Sequence, residues 1–372
     1  MRIVYILTSL GMGGAERQAL ALAERMARRG HAAAVLTLMP RVPEEWSTEL
    51  PVHHLGMGKS PASLMAGLVS ARRFCRDFKP DLLHSHSFHA NIFARLLKAL
   101  WPDAAVLSTV HNVYEGGWTR MAAYRLTDGL ARRTTAVSEA AAERFVRLKA
   151  APADKCAVIT NAIDLDEFTP DCEQRAETRA QMGVDDEFVW LAAGRVVPAK
   201  DFPNLLRAFA RVREEQPRAC LWIAGEAVDV PHGLGKNSAD VIDGPNGQGE
   251  QVRWLGLRRD MPALLDAADG FVSSSAWEGM PLAVGEAMAM EKPVVATDVG
   301  GVRELVGDAG AVVAPRDSEA LALAMIALME RPAEARGELG RAARRRIAEH
   351  FNFEARADAW EALYRSLVEG RA

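Results

Sequence analysis

The chain has 372 residues, 49% of them hydrophobic and 25% charged, and carries a net charge of −4. That length is long for one core and comfortable for two, and the composition is that of a folded soluble chain rather than a disordered one. A slightly acidic balance excludes a general attraction to nucleic acid. The four cysteines lack C-x-x-C spacing, which argues against a disulfide framework or zinc site and fits a reducing cytoplasm.

Arg2 to Thr8 is a continuous aliphatic and β-branched run, the pattern of a strand covered on both faces and not of a signal peptide. No apolar run is long enough to cross a bilayer. Gly11-Met12-Gly13-Gly14-Ala15-Glu16 follows, then a helical pattern through Leu20, Leu22 and Met26, then a second strand at Ala33 to Leu38. This order opens a Rossmann-like domain. Nicotinamide cofactors use such units, but Glu16 replaces the third glycine of G-x-G-x-x-G. The second strand also ends in Thr37-Leu38-Met39-Pro40, without the acid that would hold a ribose. The glycines fit equally a tight turn that needs positive φ.

Leu64 to Phe78 reads as a helix whose Arg72, Arg73 and Arg76, with Lys79, complement the dipole at its C-terminal end. Pro80 to His86 is a strand ending in His84 and His86 on one face. A metal site is not expected there, because no third ligand is near in sequence. Phe88 to Trp101 is a helix with Phe88, Ile92, Leu96 and Leu97 at helical spacing and Arg95 and Lys98 between them. Such a helix covers a sheet, or docks on a membrane with Trp101 and the cations at the interface. Ala105 to Val110 is a strand that delivers His111 to the carboxyl edge of a parallel sheet, where ligand crevices form. Tyr114 to Arg133 reads as an acceptor-side helix or as plain surface. Thr135 to Val137 is a strand before a Ser138 cap, and Ala157 to Asn161 is the last strand of this half. The polar stretch Asp171 to Asp186 reads as a linker and first helix.

A second sheet starts with Phe188 to Ala193. The loop Gly194 to Phe202 carries Arg195 and Lys200, which suit a diphosphate, one as a planar fork and the other as a point charge. After the strand Ala219 to Ala224, the stretch Ala227 to Gly249 is rich in Gly, Asp, Asn and Pro and reads as a long loop, a functional insertion or disorder. Arg253 to Leu257 is a strand, Pro262 to Ala268 a short helix, and Asp269 to Ser273 a further strand. Ser275 to Lys292, SAWEGMPLAVGEAMAMEK, then turns into a helix with Pro281 at its first position. The free N–H groups at that helix start suit a phosphate. Glu278 precedes them and Glu286 lies beyond, at most ~12 Å away along a helix. Pro293 to Ala296 is a strand, and the glycines of Thr297 to Glu304 fit a close-approach turn. Helical patterns at Ser318 to Glu330, Glu334 to Glu349 and Phe351 to Leu367 complete the chain.

The string E-G-M-P-L-A-V-G-E-A-M-A resembles the E-x7-E signature of the retaining glycosyltransferases of family 4. G-G-A-E-R at Gly13, D-L-L-H-S-H at Asp81, S-T-V-H-N at Ser108, N-A-I-D at Asn161 (Ala162 in place of a glycine) and the G-R-x-x-x-x-K spacing of Gly194 to Lys200 resemble the same family. The resemblance implies α/β, GT-B architecture, with two Rossmann-like α/β/α domains facing across a cleft. The acceptor-side domain would be 1–168 and the donor domain 169–351, with the terminal helix, 352–372, crossing back onto the first. It implies retaining transfer of a sugar from a nucleotide-diphosphate sugar, UDP-sugar ahead of GDP-sugar, to a hydroxyl in cell-surface polysaccharide or lipid-linked glycan assembly.

By the same resemblance, Arg195 and Lys200 clamp the diphosphate, Glu278 and His111 meet the sugar, and Glu286 holds the ribose. Gly13 and Gly14 approach the donor phosphate or the acceptor, Leu257 lies near the base, and Gly279, Met280, Pro281 and Leu282 form the donor loop. No metal and no cofactor is expected, the nucleotide sugar being a substrate. The partners implied are that donor, a glycan or lipid-linked acceptor and a peripheral membrane contact through the first domain, at the inner face of the membrane. An epimerase of the same fold, an NAD-dependent oxidoreductase and a non-catalytic sugar-nucleotide-binding module are the alternatives.

Overall fold

The computed structural model describes residues 1–42, 45–226 and 251–370; the stretch Ala227 to Gly249, expected as a long loop, lies outside the described residues. The chain divides into two units, 1–162 with 353–372, and 163–352.

In the first unit, β1 (Arg2–Leu7), α1 (Gly14–Arg28), β2 (Ala32–Thr37) and β3 (Val52–His54) are followed by α2 (Pro61–Phe78), β4 (Leu82–His86), α3 (Phe88–Leu100) and β5 (Ala105–Val110). Then come α4 (Trp118–Thr127), β6 (Arg133–Ala136), α5 (Glu139–Arg147) and β7 (Cys156–Val158). The sheet is parallel, in the order β3-β2-β1-β4-β5-β6-β7. Alternation along β1 explains why its sequence is apolar throughout. Ile3 and Tyr5 face one core with Leu22 and Met26, while Val4 and Ile6 face another with Phe93 and Leu97.

The second unit contains α6 (Cys172–Gln181), β8 (Phe188–Ala193), α7 (Phe202–Glu215), β9 (Ala219–Ala224), β10 (Val252–Gly256), α8 (Met261–Ala267) and β11 (Gly270–Ser273). It continues with α9 (Leu282–Ala289), β12 (Val294–Thr297), α10 (Val302–Val306), β13 (Gly310–Val313), α11 (Ser318–Met329) and α12 (Ala333–His350). Its sheet is also parallel, in the order β10-β9-β8-β11-β12-β13. The helix α13 (Phe353–Glu369) returns to the first unit, where Trp360 and Tyr364 join the core beside Tyr5 and Leu82.

Each sheet grows outward in two directions from one strand pair. In the first, β1 runs on to β2 while β4 takes its other side; in the second, β8 runs on to β9 while β11 takes its other side. The loops that leave such a pair diverge to opposite faces and open a crevice at the carboxyl ends. Gly13 and His86 stand at the first switch point, Lys200 and Glu278 at the second.

Several expectations need correction. The strands β3 and β13, only 3 and 4 residues long, escaped the sequence reading, and β7 ends before Ile159. Ala162 fits where a glycine was expected, because its φ is not positive; Gln18 holds both its N–H and its carbonyl, at 2.9 and 2.7 Å. The glycines of the first loop also have no positive φ. Gly13 is extended (φ −110°), and a Cβ there would overlap the Glu16 carboxylate.

The largest surprise is in α3. Arg95 is not at a membrane face but fully buried, and Phe93, Ala94 and Leu97 pack on the sheet, with Trp101 against the same core. The Arg95 guanidinium donates to Ser108 Oγ (3.2 Å), the Tyr124 carbonyl (2.9 Å), Thr127 Oγ1 (3.2 Å) and Thr134 Oγ1 (3.1 Å). Burial lowers its pKa, while Tyr124, Asp128 and Glu115 act the other way. Arg95→Met nearly keeps the volume but removes all four hydrogen bonds from these buried oxygens, so the unfolding midpoint in urea should drop by the equivalent of about 2–3 kcal/mol.

Candidate active site

In the second unit, the loop after β8 and the loop after β11 are laced together. Ala276 N–H donates to the Ala199 carbonyl at 2.8 Å, and Ser274 Oγ donates to the Lys200 carbonyl at 2.8 Å. This brings Lys200 Nζ to 2.6 Å from Glu278 Oε1, which also accepts from Ser275 Oγ at 2.8 Å. Both charged side chains are largely covered, 22% and 13% exposed, so water screens the pair less than a surface pair.

A third loop fixes the height of this one. Gly301 N–H donates to the Gly279 carbonyl at 2.6 Å, and a Cβ on Gly300 (φ +54°) would overlap the carbonyls of Glu278 and Gly279. The backbone after β12 therefore presses directly beneath the Glu278 loop. Only glycine permits that approach.

The helix α9 starts immediately beyond. Pro281 is its cap rather than its first residue: it is extended (φ −73°, ψ 118°), and Leu282 begins the helix. The one-residue shift leaves the N–H groups of Leu282 and the next residues as the free donors of this end. Gly279, Met280 and Pro281 are buried, Leu282 is half-buried, and Glu286 lies buried further along the helix. Arg195 is exposed and has no ion-pair partner among the described residues. Leu257 follows β10, two strands from β8.

In the first unit, His111 follows β5 and is half-buried. Its Nε2 lies 2.9 Å from His86 Nδ1, and its backbone N–H donates to Glu115 Oε1 at 3.2 Å. Glu115 is itself buried and accepts from the Tyr124 hydroxyl at 2.6 Å. Burial pushes the Glu115 carboxyl up to about 7, against the hydrogen bonds from Tyr124 and His111. Burial pulls the His111 imidazole down to about 4 and holds His84 and His86 well below their ordinary range. At neutral pH all three rings are neutral, so His111 can orient a polar ligand but not neutralise one.

Lys200 and Glu278 are thus brought together, with Gly279 to Leu282 running from them into α9. Gly13, Gly14 and His111 belong to the first unit and Leu257 lies at the far edge of the second sheet. Sequence reading missed Ser275 and Glu115 as parts of these constellations, and singled out His86 only within the D-L-L-H-S-H string, without its contact to His111. Ser275 had a signal, three residues before Glu278 in the same turn; Glu115 had only its nearness to His111. Among the described residues no group of three His, Cys, Asp or Glu side chains could hold a metal ion, and no helix is long and apolar enough to cross a membrane.

Known proteins share this fold and resemble this sequence. Family models described as Glycosyltransferase Family 4 and Glycosyl transferases group 1 match residues 12–167 and 187–331. A D-inositol 3-phosphate glycosyltransferase of Geodermatophilus obscurus is 30% identical, over 97% of this chain and 86% of its own. The UDP-Gal:alpha-D-GlcNAc-diphosphoundecaprenol alpha-1,3-galactosyltransferase of Escherichia coli is 25% identical, over 82% and 80%. Among solved structures, Anabaena HepE in complex with UDP-glucose superposes with a TM-score of 0.85 at 22% identity, covering 98% of this chain and 99% of its own. Sucrose-phosphate synthase from Thermosynechococcus elongatus gives 0.85 at 23% identity, covering 100% of both. The two parallel-sheet units are those of GT-B proteins.

His111 and Glu115 make the stability of the first unit depend on pH with opposing signs. His111 titrates at about 4 when folded and near 6.5 when unfolded, so its contribution is lost as pH falls through that window. Glu115 titrates at about 7 when folded and near 4.5 when unfolded, so its contribution grows as pH falls from 7. Melting temperatures recorded between pH 7 and 4.5 should therefore fall less steeply in His111→Asn and more steeply in Glu115→Gln than in the parent.

Proposed function

The chain belongs to the group 1 glycosyl transferases of glycosyltransferase family 4, and from that premise we propose that it moves a sugar from UDP to a hydroxyl acceptor with retention and without a metal. The observation that carries this reading is the Lys200–Glu278–Ser275 constellation at the switch point of the second sheet, next to the start of α9. A diphosphate there offers Lys200 more negative charge than one carboxylate does. Lys200 would exchange Glu278 for a phosphate oxygen, and Glu278 would then be free to accept from a hydroxyl of the sugar. Arg195 and the N–H groups of α9 would stabilise the charge that grows on the leaving diphosphate. Glu286 is assigned to the ribose, the Leu257 backbone to the base, and Gly13 and Gly14 to the donor phosphate or the acceptor.

In the step proposed, the bond from the anomeric carbon to the phosphate oxygen breaks and its electron pair leaves with UDP. The acceptor oxygen bonds to the same face of the anomeric carbon and gives its proton to the departing phosphate. His111, neutral at working pH, orients the sugar by a hydrogen bond. The choice of UDP is supported by the ligand of HepE and by the donor of the galactosyltransferase, and a lipid-linked acceptor by that enzyme's diphosphoundecaprenol substrate.

A peripheral membrane contact, at the inner face, suits α4 better than α3. Trp118 is 81% exposed and Leu126 85%, with Tyr114 exposed nearby. Arg125 and Arg144 line the same surface groove as Trp118 and Tyr114, an apolar and cationic mixture suited to an anionic lipid interface.

Two measurements test these readings. Glu278→Ala should lower kcat by roughly 10²–10³ while UDP affinity stays near the parent's, whereas Arg195→Ala should lower both; full turnover in Glu278→Ala would refute the assignment. The double variant Trp118→Ser, Leu126→Ser should no longer cosediment with phosphatidylglycerol vesicles while keeping its KM for UDP-sugar; undiminished cosedimentation would remove α4 from the membrane contact.

A further inference from the structure

Three imidazoles touch in the first unit, His84 and His86 at the end of β4 and His111 beyond β5. The ring centroids of His84 and His86 are 4.1 Å apart, and those of His86 and His111 are 5.2 Å apart. All three are kept neutral by burial. A neutral imidazole has one nitrogen that donates and one that accepts, so a hydrogen bond between two such rings links their tautomers.

His84 imposes no direction on its neighbours. Its Nδ1 lies 2.7 Å from the Tyr364 hydroxyl and its Nε2 lies 2.7 Å from Thr109 Oγ1, and hydroxyls turn to suit either role. His86 is different. Its Nδ1 meets His111 Nε2 at 2.9 Å, and neither nitrogen can turn: one carries the hydrogen and the other does not.

What decides is the other side of the His86 ring. His86 Nε2 is buried without a hydrogen-bond partner, and so is Thr160 Oγ1. Both residues line one small cavity of about 20 Å³, with Arg356 and Trp360 of α13 in the same wall. A space of that size has room for one water, which could bridge the two atoms. Arg356 brings only donors and a positive charge to this wall. That environment favours a lone pair on His86 Nε2 and therefore the proton on His86 Nδ1.

We infer that His86 is a positioning residue: it donates from Nδ1 to His111 Nε2 and so holds His111 as the tautomer with its proton on Nδ1. His111 then meets the sugar as a hydrogen-bond donor, selecting a hydroxyl oxygen rather than a donor group at that position. The inference rests on the reading of His111 as the sugar contact, but the tautomer itself is a property of the free protein. Neither the E-x7-E string nor the diphosphate clamp predicts it.

The test uses the full chain labelled with ¹⁵N in its histidines. Long-range proton–nitrogen correlation spectra distinguish protonated from bare ring nitrogens, and the His111 signals are identified by their loss in His111→Asn. The parent should show His111 protonated at Nδ1. In His86→Leu that preference should disappear, and kcat/KM for UDP-sugar should fall about ten-fold, one hydrogen bond's worth. His86→Asn, whose amide nitrogen takes the place of Nδ1, should restore the tautomer and most of the rate. A parent protonated at Nε2, or His86→Leu still protonated at Nδ1, overturns the inference. Should His86→Leu fail to fold, the parent spectrum alone decides. A parent with the expected tautomer but no transfer from any UDP-sugar upholds the tautomer assignment and refutes the transferase proposal instead.

Discussion

One carboxylate organises the second unit. Glu278 is held between the Lys200 ammonium and the Ser275 hydroxyl, in a loop tied to the end of β8 and propped from below by Gly300 and Gly301. The sheet makes this arrangement available. Parallel strands send all their carboxyl ends to one edge, and at the β8–β11 pair the following loops part, so charged side chains can gather there without a competing strand. With both side chains largely covered, neither charge is well solvated, and each is stabilised chiefly by the other. Such a pair opens readily only for a stronger partner. A diphosphate is one, and on the proposed function the pair is both a structural brace and a site for exchange.

The first unit solves a different problem, the placement of a neutral ring. Its polar interior is extensive: Arg95 reaches four oxygen acceptors, and Asn91 donates to the Thr109 carbonyl and the Tyr124 hydroxyl, each at 2.9 Å. Tyr124 in turn donates to Glu115, which accepts the backbone N–H of His111. A connected network of this kind fixes one arrangement, because any shift leaves a buried polar atom unpaired. The strand β5 and helices α3 and α4 are thereby locked to the loop that carries His111. The loop that carries His111 is held by these specific hydrogen bonds, and not by packing alone.

Much of this was legible in the sequence, for identifiable reasons. Strands buried on both faces are written as unbroken apolar runs, so β1, β5, β8 and β9 stood out. The E-G-M-P-L-A-V-G-E string marked the strand-to-helix loop at Glu278. What escaped is what depends on distance in space. Arg95 falls at a spacing that suits a surface cation, and only the hydroxyls of β5 and β6 and the end of α4 make its burial tolerable. The strands β3 and β13 are edge strands of only 3 and 4 residues, too short to show a pattern of their own. Pro281 reads naturally as a first helical residue, yet its extended ψ makes it the cap. The union of Lys200 with Glu278 joins positions 78 residues apart, and no local pattern could have announced it.

The most direct test of the account is the melting temperature of the protein with UDP, GDP, ADP and NAD added separately at equal concentration. A ligand that binds only the folded chain raises it by mass action. UDP is predicted to give the largest rise and NAD none. Stabilisation by NAD alone would contradict the glycosyl-transfer reading of the Lys200–Glu278 site.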